Sequence, residues 1–339
     1  MKILHCSDLH LNPLSRIPQS RTDTFHEDIK NKWDWLSGFM KEQEIRVGVI
    51  SGDIFHLKRS SEYHPKDINY YTRLIESSAV DWYSIPGNHD LPASAYDNKI
   101  NSAYETLCNA TSNLHDISWN AVSFGEGENK VNVIGIPYLK LKDTMEMLPK
   151  INEGLSKYEG INIVLLHMDA LPDPGDFTMW DIVKYDRFLE LVPNGDVFCL
   201  GHIHQGYSVY SRQNGSKTQL VSKPWSFSRV VKDYYNQTDL IEYKHKPSVA
   251  VVEIEKDGDK CSISINYHEI PHRPFESAFH RESIKRQLEN SAKVRSFIED
   301  LKRNYGDTQK AFDITDPHNY MNNMEMSKEV RDIIDQYMN

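Results

Sequence analysis

The sequence predicts an α/β fold: a layered β-sandwich flanked by helices, with a small helical C-terminal region. Three observations carry that expectation. Strand-like apolar runs alternate with helical patterns over the first two thirds of the chain, hairpin signals take over from residue 206, and helical periodicity returns after residue 275.

The first strand is "MKILHCS"; the helix after it, "TFHEDIKNKWDWLSGFMKEQ", carries Phe25, Ile29, Leu36, Phe39 and Met40 at helical spacing, with Thr24 and Glu27 placed for a capping box. "IRVGVISGD" reads as a second buried strand and "HPKDINYYTRLIESS" as a second helix, with Pro65 in its first turn. A third strand, "VDWYSIPGNHD", is followed by "VNVIGIPYL", "INIVLLHM" and "GDVFCLGH", with helical stretches between them. Asn214-Gly215 and Asp257-Gly258 each sit between alternating runs, the mark of a type I′ turn, so antiparallel hairpins are expected to extend the sandwich. Ile284, Leu288, Phe297, Ile298 and Leu301 suggest an amphipathic helix stopping at Gly306. Val330, Ile333, Ile334, Tyr337 and Met338 form an apolar stripe on a last helix. The domains expected are 1–275 and 276–339.

Composition narrows the function classes. Of 339 residues, 39% are apolar and 26% charged, and the mean hydropathy is −0.60, as in soluble globular proteins. No apolar stretch approaches the roughly 18 residues of a membrane helix, so no membrane partner is expected. "KILHC" has no secretory character, and Cys6, Cys108, Cys199 and Cys261 lack zinc spacing; the expectation is a cytoplasmic protein with reduced thiols. A net charge of −10 argues against coating nucleic acid by bulk electrostatics. It leaves room for a nuclease, because metal ions supply local positive charge.

The polar residues gather at strand ends. Asp8 and His10 follow the first strand, Asp53 the second, Asn88 and His89 the third; His167 ends "INIVLLH", and His202 and His204 follow "DVFCLG". Open α/β sheets bind ligands at such C-terminal ends. On an extended segment, side chains two apart share a direction, so Asp8 is expected to converge with His10, and His202 with His204. Gly52 and Gly87 are placed for sharp turns and Gly201 for a close backbone approach. Carboxylate, amide and imidazole donors without a thiolate suit a pair of divalent ions, such as manganese, iron or zinc, better than a structural zinc site. One Asp-x-His is common by chance; the weight rests on the ordered series. His5, His26, His64, His115, His245, His268, His272, His280 and His318 read as core or surface histidines.

That series, "SDLH", "SGDIF", "PGNHD", "LLHMD" and "LGHIH", resembles the calcineurin-like metallophosphoesterase superfamily over residues 7–204. Within it the chain is most similar to the SbcD-like DNA nucleases of the MRN/SbcCD complex and their phage recombination counterparts. The features behind this are "SDLHL" at the start, His56 three residues after Asp53, and "YHEIPHRPF" after the last hairpin. The resemblance implies that Asp8, His10, Asp53 and His204 hold one metal ion, and that Asp53 bridges to a second ion completed by Asn88, His167 and His202. It further implies that His89 is the catalytic residue facing the scissile phosphate, that His56 helps position DNA, and that the cofactors are two divalent ions, manganese first, with magnesium, iron or zinc as alternatives. Asp90 is read as a supporting carboxylate that orients a neighbouring imidazole, or as a solvated loop residue.

The function so implied is a manganese-dependent DNA nuclease, exonuclease or endonuclease, working in recombination, repair or end processing with an SMC-type ATPase. The helices after the first two motifs leave room for a homodimer surface. Since only residues 276–339 follow "PHRPF", the capping domain of this branch is reduced at most, and the stripe at 330–338, after Tyr320, Met321, Met324 and Met326, either docks the ATPase or packs on its own domain. Arg16, Arg21, Lys58, Arg59, Lys223 and Arg229 are either phosphate contacts or solvated; Trp225 and Phe227 either stack on a base or belong to the core. Two other readings stand beside the nuclease: a free-standing phosphodiesterase or phosphatase acting on a small molecule or phosphoprotein, and a scaffold that tethers DNA.

Overall fold

Ile3 and Leu4 are neighbours in sequence, yet they pack into different apolar clusters. The same split recurs at Val49 and Ile50, and at Leu165 and Leu166. Alternation of this kind is what a strand buried on both faces produces. The computed structural model describes residues 1–18, 20–126, 130–173, 182–215, 217–230, 245–257 and 260–280.

In chain order the elements are β1 (Lys2–Cys6), α1 (Phe25–Glu42), β2 (Val47–Ser51), α2 (Pro65–Glu76), β3 (Asp81–Ile85), α3 (Ala103–Ala110) and β4 (Leu114–Asp116). Then come β5 (Ala121–Phe124), β6 (Val131–Ile136), α4 (Leu141–Leu155), β7 (Ile161–His167), β8 (Ala170–Leu171), β9 (Val183–Lys184) and α5 (Tyr185–Leu191). The last described are β10 (Val197–Gly201), β11 (Tyr210–Asn214), β12 (Lys217–Ser222), β13 (Ser248–Asp257), β14 (Lys260–Glu269) and the short α6 (Phe275–Ala278). Two six-stranded sheets result, ordered β14-β13-β1-β2-β3-β4 and β11-β12-β10-β7-β6-β5. Strands β1 to β4 run parallel in the first, and β12, β10, β7 and β6 run parallel in the second.

The layer between the sheets is filled by Ile3, Val49, Ile85, Leu165, Val197 and Cys199. On the outer face of the first sheet, Leu4, Ile50 and Trp82 meet Trp33 and Leu36 of α1 and Tyr71 of α2. On the outer face of the second, Val164, Leu166 and Phe198 meet Leu148 of α4 and Phe188 of α5. This is the helix-flanked, layered sandwich that the sequence predicts. The hairpins extend it as expected, β13–β14 joining β1 and β11–β12 joining β10.

Two local expectations are corrected. Asn214 pairs with Lys217 and so ends β11 instead of opening the turn, one residue off the Asn-Gly signal. Thr24 makes no side-chain cap to α1, because its hydroxyl is engaged with Thr22 and Asp28 instead. A capping box closes α2, where Asp67 Oδ2 accepts the His64 N–H at 2.7 Å.

The chain divides into a unit Met1–Ala278 and a unit Phe279–Asn339. The helices expected near 284–301 and at 330–338, with Tyr320, Met321, Met324, Met326 and His318, lie outside the described residues. Among the described residues, no helix is long and apolar enough to cross a membrane.

Candidate metal centre

Parallel strands in both sheets end on one edge, and the polar motifs follow those ends. The backbone after β1 stays laddered on the segment after β2, with Asp8 N–H donating to Gly52 O at 3.0 Å and His10 N–H to Asp53 O at 3.0 Å. Asp8, His10, Asp53 and His202 have φ of 56°, 44°, 53° and 87°, the left-handed region that side chains avoid. Strain of this kind persists where the surrounding structure imposes it, and it clusters at functional sites. The expectation of an extended segment at 8–10 is therefore corrected: Asp8 and His10 converge through left-handed turns.

Seven polar residues from five motifs come together in two groups. Asp8, His10 and His204 form one, and Asp53, His167 and His202 the other, with Asn88 Oδ1 2.9 Å from His202 Nδ1 and 3.2 Å from His167 Nε2. Asp53 joins them. Its Oδ1 accepts the His89 N–H at 2.8 Å, while its Oδ2 lies 3.7 Å from His10 Nε2 and 3.4 Å from His167 Nε2. Gly52 turns the chain at φ 90°, as expected. Gly87 opens a turn as expected, its carbonyl accepting the Asp90 N–H at 3.2 Å, and it also allows a close approach, since a Cβ there would sit 2.1 Å from Asp53 Oδ1. A Cβ on Gly201 would sit 1.9 Å from Ser51 O, the close approach expected.

The donor atoms fit a divalent cation. His10 Nε2 and His204 Nε2 face each other at 2.8 Å, and His167 Nε2 and His202 Nδ1 at 3.2 Å. Two imidazole lone pairs repel at such distances unless a proton or a cation lies between them. Burial, aided by His204, pushes the His10 pKa well below its usual value, which favours the neutral ligand form. Burial pushes the Asp53 carboxyl up, but His167, His89 and His10 outweigh it and hold it well below the usual carboxylate range. His167 Nδ1 donates to Ser51 O at 2.8 Å, which turns Nε2 toward Asp53.

A third cluster holds His10, His56 and His89. His89 and His56 stack with centroids 5.5 Å apart, and His89 Nδ1 donates to the His56 carbonyl at 2.6 Å, which commits that nitrogen and leaves Nε2 for other chemistry. His56 Nδ1 lies 3.4 Å from His10 Nδ1. Asp90 is neither a solvated residue nor a partner of an imidazole. It is 3% exposed, and its carboxylate accepts the N–H groups of Ile54, Phe55 and Gly87 at 3.0, 2.8 and 2.9 Å. Asp90 thus staples the loop carrying Asp53 to the loop carrying His89. Burial and the Asp53 charge push its carboxyl up to about 7, against the pull of those amides.

Two contributors escape sequence reasoning, and a third, Lys223, reads in sequence only as a phosphate contact or a solvated residue. Asp169 Oδ1 lies 2.9 Å from His202 Nε2 and fixes that ring; its only signal is its place two residues after His167. Tyr138 lies beside His167 and His202, with ring centroids 6.0 and 5.8 Å away. Lys223 Nζ lies 3.8 Å from Asp8 Oδ2 with its side chain 1% exposed, so it is neither solvated nor at the surface. Arg21 and Arg229 are buried too, and Arg21 pairs with Asp28 at 2.5 Å. Phe227 belongs to the core, whereas half-buried Trp225 stacks on His245. His5, read as core, is fully buried between Ser51 and Ser222.

Among curated proteins, no sequence matches. Among solved structures, the chain is similar to the calcineurin-like phosphoesterase YfkN from Bacillus subtilis, at 13% identity and a TM-score of 0.51 over 87% of this chain and 97% of that one. The protein TT1561 of Thermus thermophilus is a looser match, at 9% identity and a TM-score of 0.45 over 80% of this chain and 99% of that one. Likeness at such identity speaks to the fold alone. The family profile described as calcineurin-like phosphoesterase matches residues 1–206, more than half of the 339 residues and every motif from Asp8 to His204. By that match the chain belongs to the calcineurin-like phosphoesterase family.

Proposed function

We propose that this chain hydrolyses phosphodiester bonds in DNA, with manganese, as the nuclease subunit of a complex with an SMC-type ATPase. Family membership implies a metal-dependent phosphoester hydrolase. The observation that carries the step to DNA is His56, stacked on His89 and edge-on to His10, because a histidine three residues after the bridging aspartate is the feature shared with the SbcD-like branch. Asp8, His10 and His204 would hold one ion, Asn88, His167 and His202 the other, and Asp53 Oδ2 would serve both. When bound, such a pair neutralises phosphate charge and makes hydroxide available near neutral pH. The remaining work falls to the chain. With Nδ1 committed to the His56 carbonyl, His89 exchanges a proton only at Nε2, and burial lowers its pKa, so a proton held there passes readily to a leaving oxygen. The ATPase partner rests on the family resemblance and on the apolar stripe at 330–338, which lies outside the described residues.

A second reading, a phosphoesterase acting on small substrates, is favoured by one observation: Arg21, Lys223 and Arg229 are buried, which thins the cations available to a DNA backbone at the rim. One experiment separates the two. Labelled duplex DNA and a chromogenic phosphodiester are each incubated with wild type and His56→Ala, with manganese, magnesium or chelator. Manganese-dependent DNA cutting that His56→Ala loses, while diester cleavage survives, supports the nuclease. Diester cleavage with intact DNA, even after an SMC-type ATPase is added, rejects it.

A further inference from the structure

We propose that Lys223 positions the Asp8 carboxylate and weakens the hold of the Asp8, His10 and His204 group on a divalent cation, making it the weaker of two metal sites. The inference rests on reading that group as a metal site. Asp8 Oδ1 accepts the His202 N–H at 3.0 Å, while Oδ2 is buried and accepts no hydrogen bond among the described residues. Lys223 Nζ lies 3.8 Å from that Oδ2, beyond hydrogen-bonding reach but well within electrostatic range. The amine thus orients the carboxylate by charge and leaves its lone pairs open.

The backbone keeps Lys223 there. Phe227 N–H donates to Ser7 O at 3.0 Å, Ser228 N–H to Asp8 O at 3.3 Å and Ser226 N–H to His204 O at 3.0 Å, so the segment that Lys223 begins clamps two members of the group. Lys223 N–H donates to Tyr267 Oη at 2.9 Å, and Lys223 O accepts Tyr207 N–H at 3.0 Å. With side-chain exposure of 1%, the amine cannot reach solvent without disturbing these bonds. A metal ion on Asp8 must therefore bind beside a fixed positive charge. Among the described residues, neither lysine nor arginine forms such a close pair with Asp53, which Lys58 reaches only from farther off, so the nearer cation lies on the Asp8 side.

The test titrates manganese alone into the full chain after chelator treatment, by calorimetry, for wild type, Lys223→Met and Lys223→Arg. Wild type is expected to take two equivalents in unequal steps. Lys223→Met tightens the weaker step by at least about tenfold, and Lys223→Arg, which keeps the charge, stays near wild type. Should the methionine variant not fold by circular dichroism, Lys223→Gln keeps a polar head in the buried position and carries the same expectation. An unchanged or looser weaker step in a folded neutral variant overturns the role of Lys223 and leaves the metal site standing. A wild-type chain that binds no manganese overturns both.

Discussion

Asp53 Oδ2 lies 3.4 Å from His167 Nε2, and this contact joins the end of β2 in the first sheet to the end of β7 in the second. The same oxygen faces His10 Nε2 at 3.7 Å, so a single atom serves both residue groups. Among the described residues no other side chain faces both groups in this way, and its second oxygen is already held by the His89 amide.

Asp53→Asn is therefore expected to disable both groups together. Partners behind a metal ligand cost about 10–100-fold when removed, so a shared ligand should cost at least about a hundredfold in phosphodiester hydrolysis. Manganese titration should show both steps weakened. Loss of only one step would assign Asp53 to a single ion.

His89→Gln should behave differently. Its ring contacts His56 and His10 and lies outside the two groups that Asp53 joins, so manganese affinity should stay near wild type. The turnover number on a chromogenic diester should fall by roughly 100- to 10,000-fold, the range of a lost general acid. A fall in metal affinity matching the fall in turnover would make His89 a ligand instead.

How much of this was legible depends on what each signal encodes. Apolar alternation in "INIVLLH" places Ile163 and Leu165 between the sheets, and by the same period it turns His167 inward, where its Nδ1 meets Ser51 O. Periodicity of two carries that information directly. The left-handed backbone at Asp8 and His10 is imposed by the neighbouring loop and has no residue signature, since neither is glycine. Asp90 reads in sequence as a partner for a neighbouring imidazole or as a solvated loop residue, yet its three partners are amides, and amides are invisible in a side-chain alphabet. Lys223 was unreadable for a related reason: a lysine after a hairpin is ordinarily solvated, and only the packing of β12 beside the site buries it.

Asp169→Asn tests the support behind His202. The carboxylate at 2.9 Å from Nε2 keeps Nδ1 directed at Asn88 and His167, and an amide in its place loses the charge that favours that orientation. Manganese affinity in one step should drop by about 10–100-fold, and activity should return at high manganese. Activity that stays low at saturating manganese would mean that Asp169 acts on the substrate and not through His202.

His5 ties the sheets together, with Nε2 2.7 Å from Ser51 Oγ on β2 and Nδ1 2.8 Å from Ser222 Oγ on β12. Burial first, then the Lys223 charge, lowers its pKa from 6.5 to about 3. Below 6.5 the unfolded chain takes up a proton that the folded chain refuses, so the stability from neutral His5 is complete above 6.5 and drains away as pH falls toward about 3. His5→Leu removes the titration and strands two hydroxyls, costing about 1–3 kcal/mol at neutral pH and above. In urea unfolding with chelator present, the wild-type advantage should shrink by roughly 3 kcal/mol between about pH 8 and about pH 4.5, because each pKa unit is worth about 1.4 kcal/mol. Other acid-labile groups act equally on both proteins and cancel in the difference. A gap that stays constant with pH would show that folding leaves the His5 pKa unchanged, and a gap that widens as pH falls would show that His5 is protonated in the fold, with the two serines accepting both of its N–H groups.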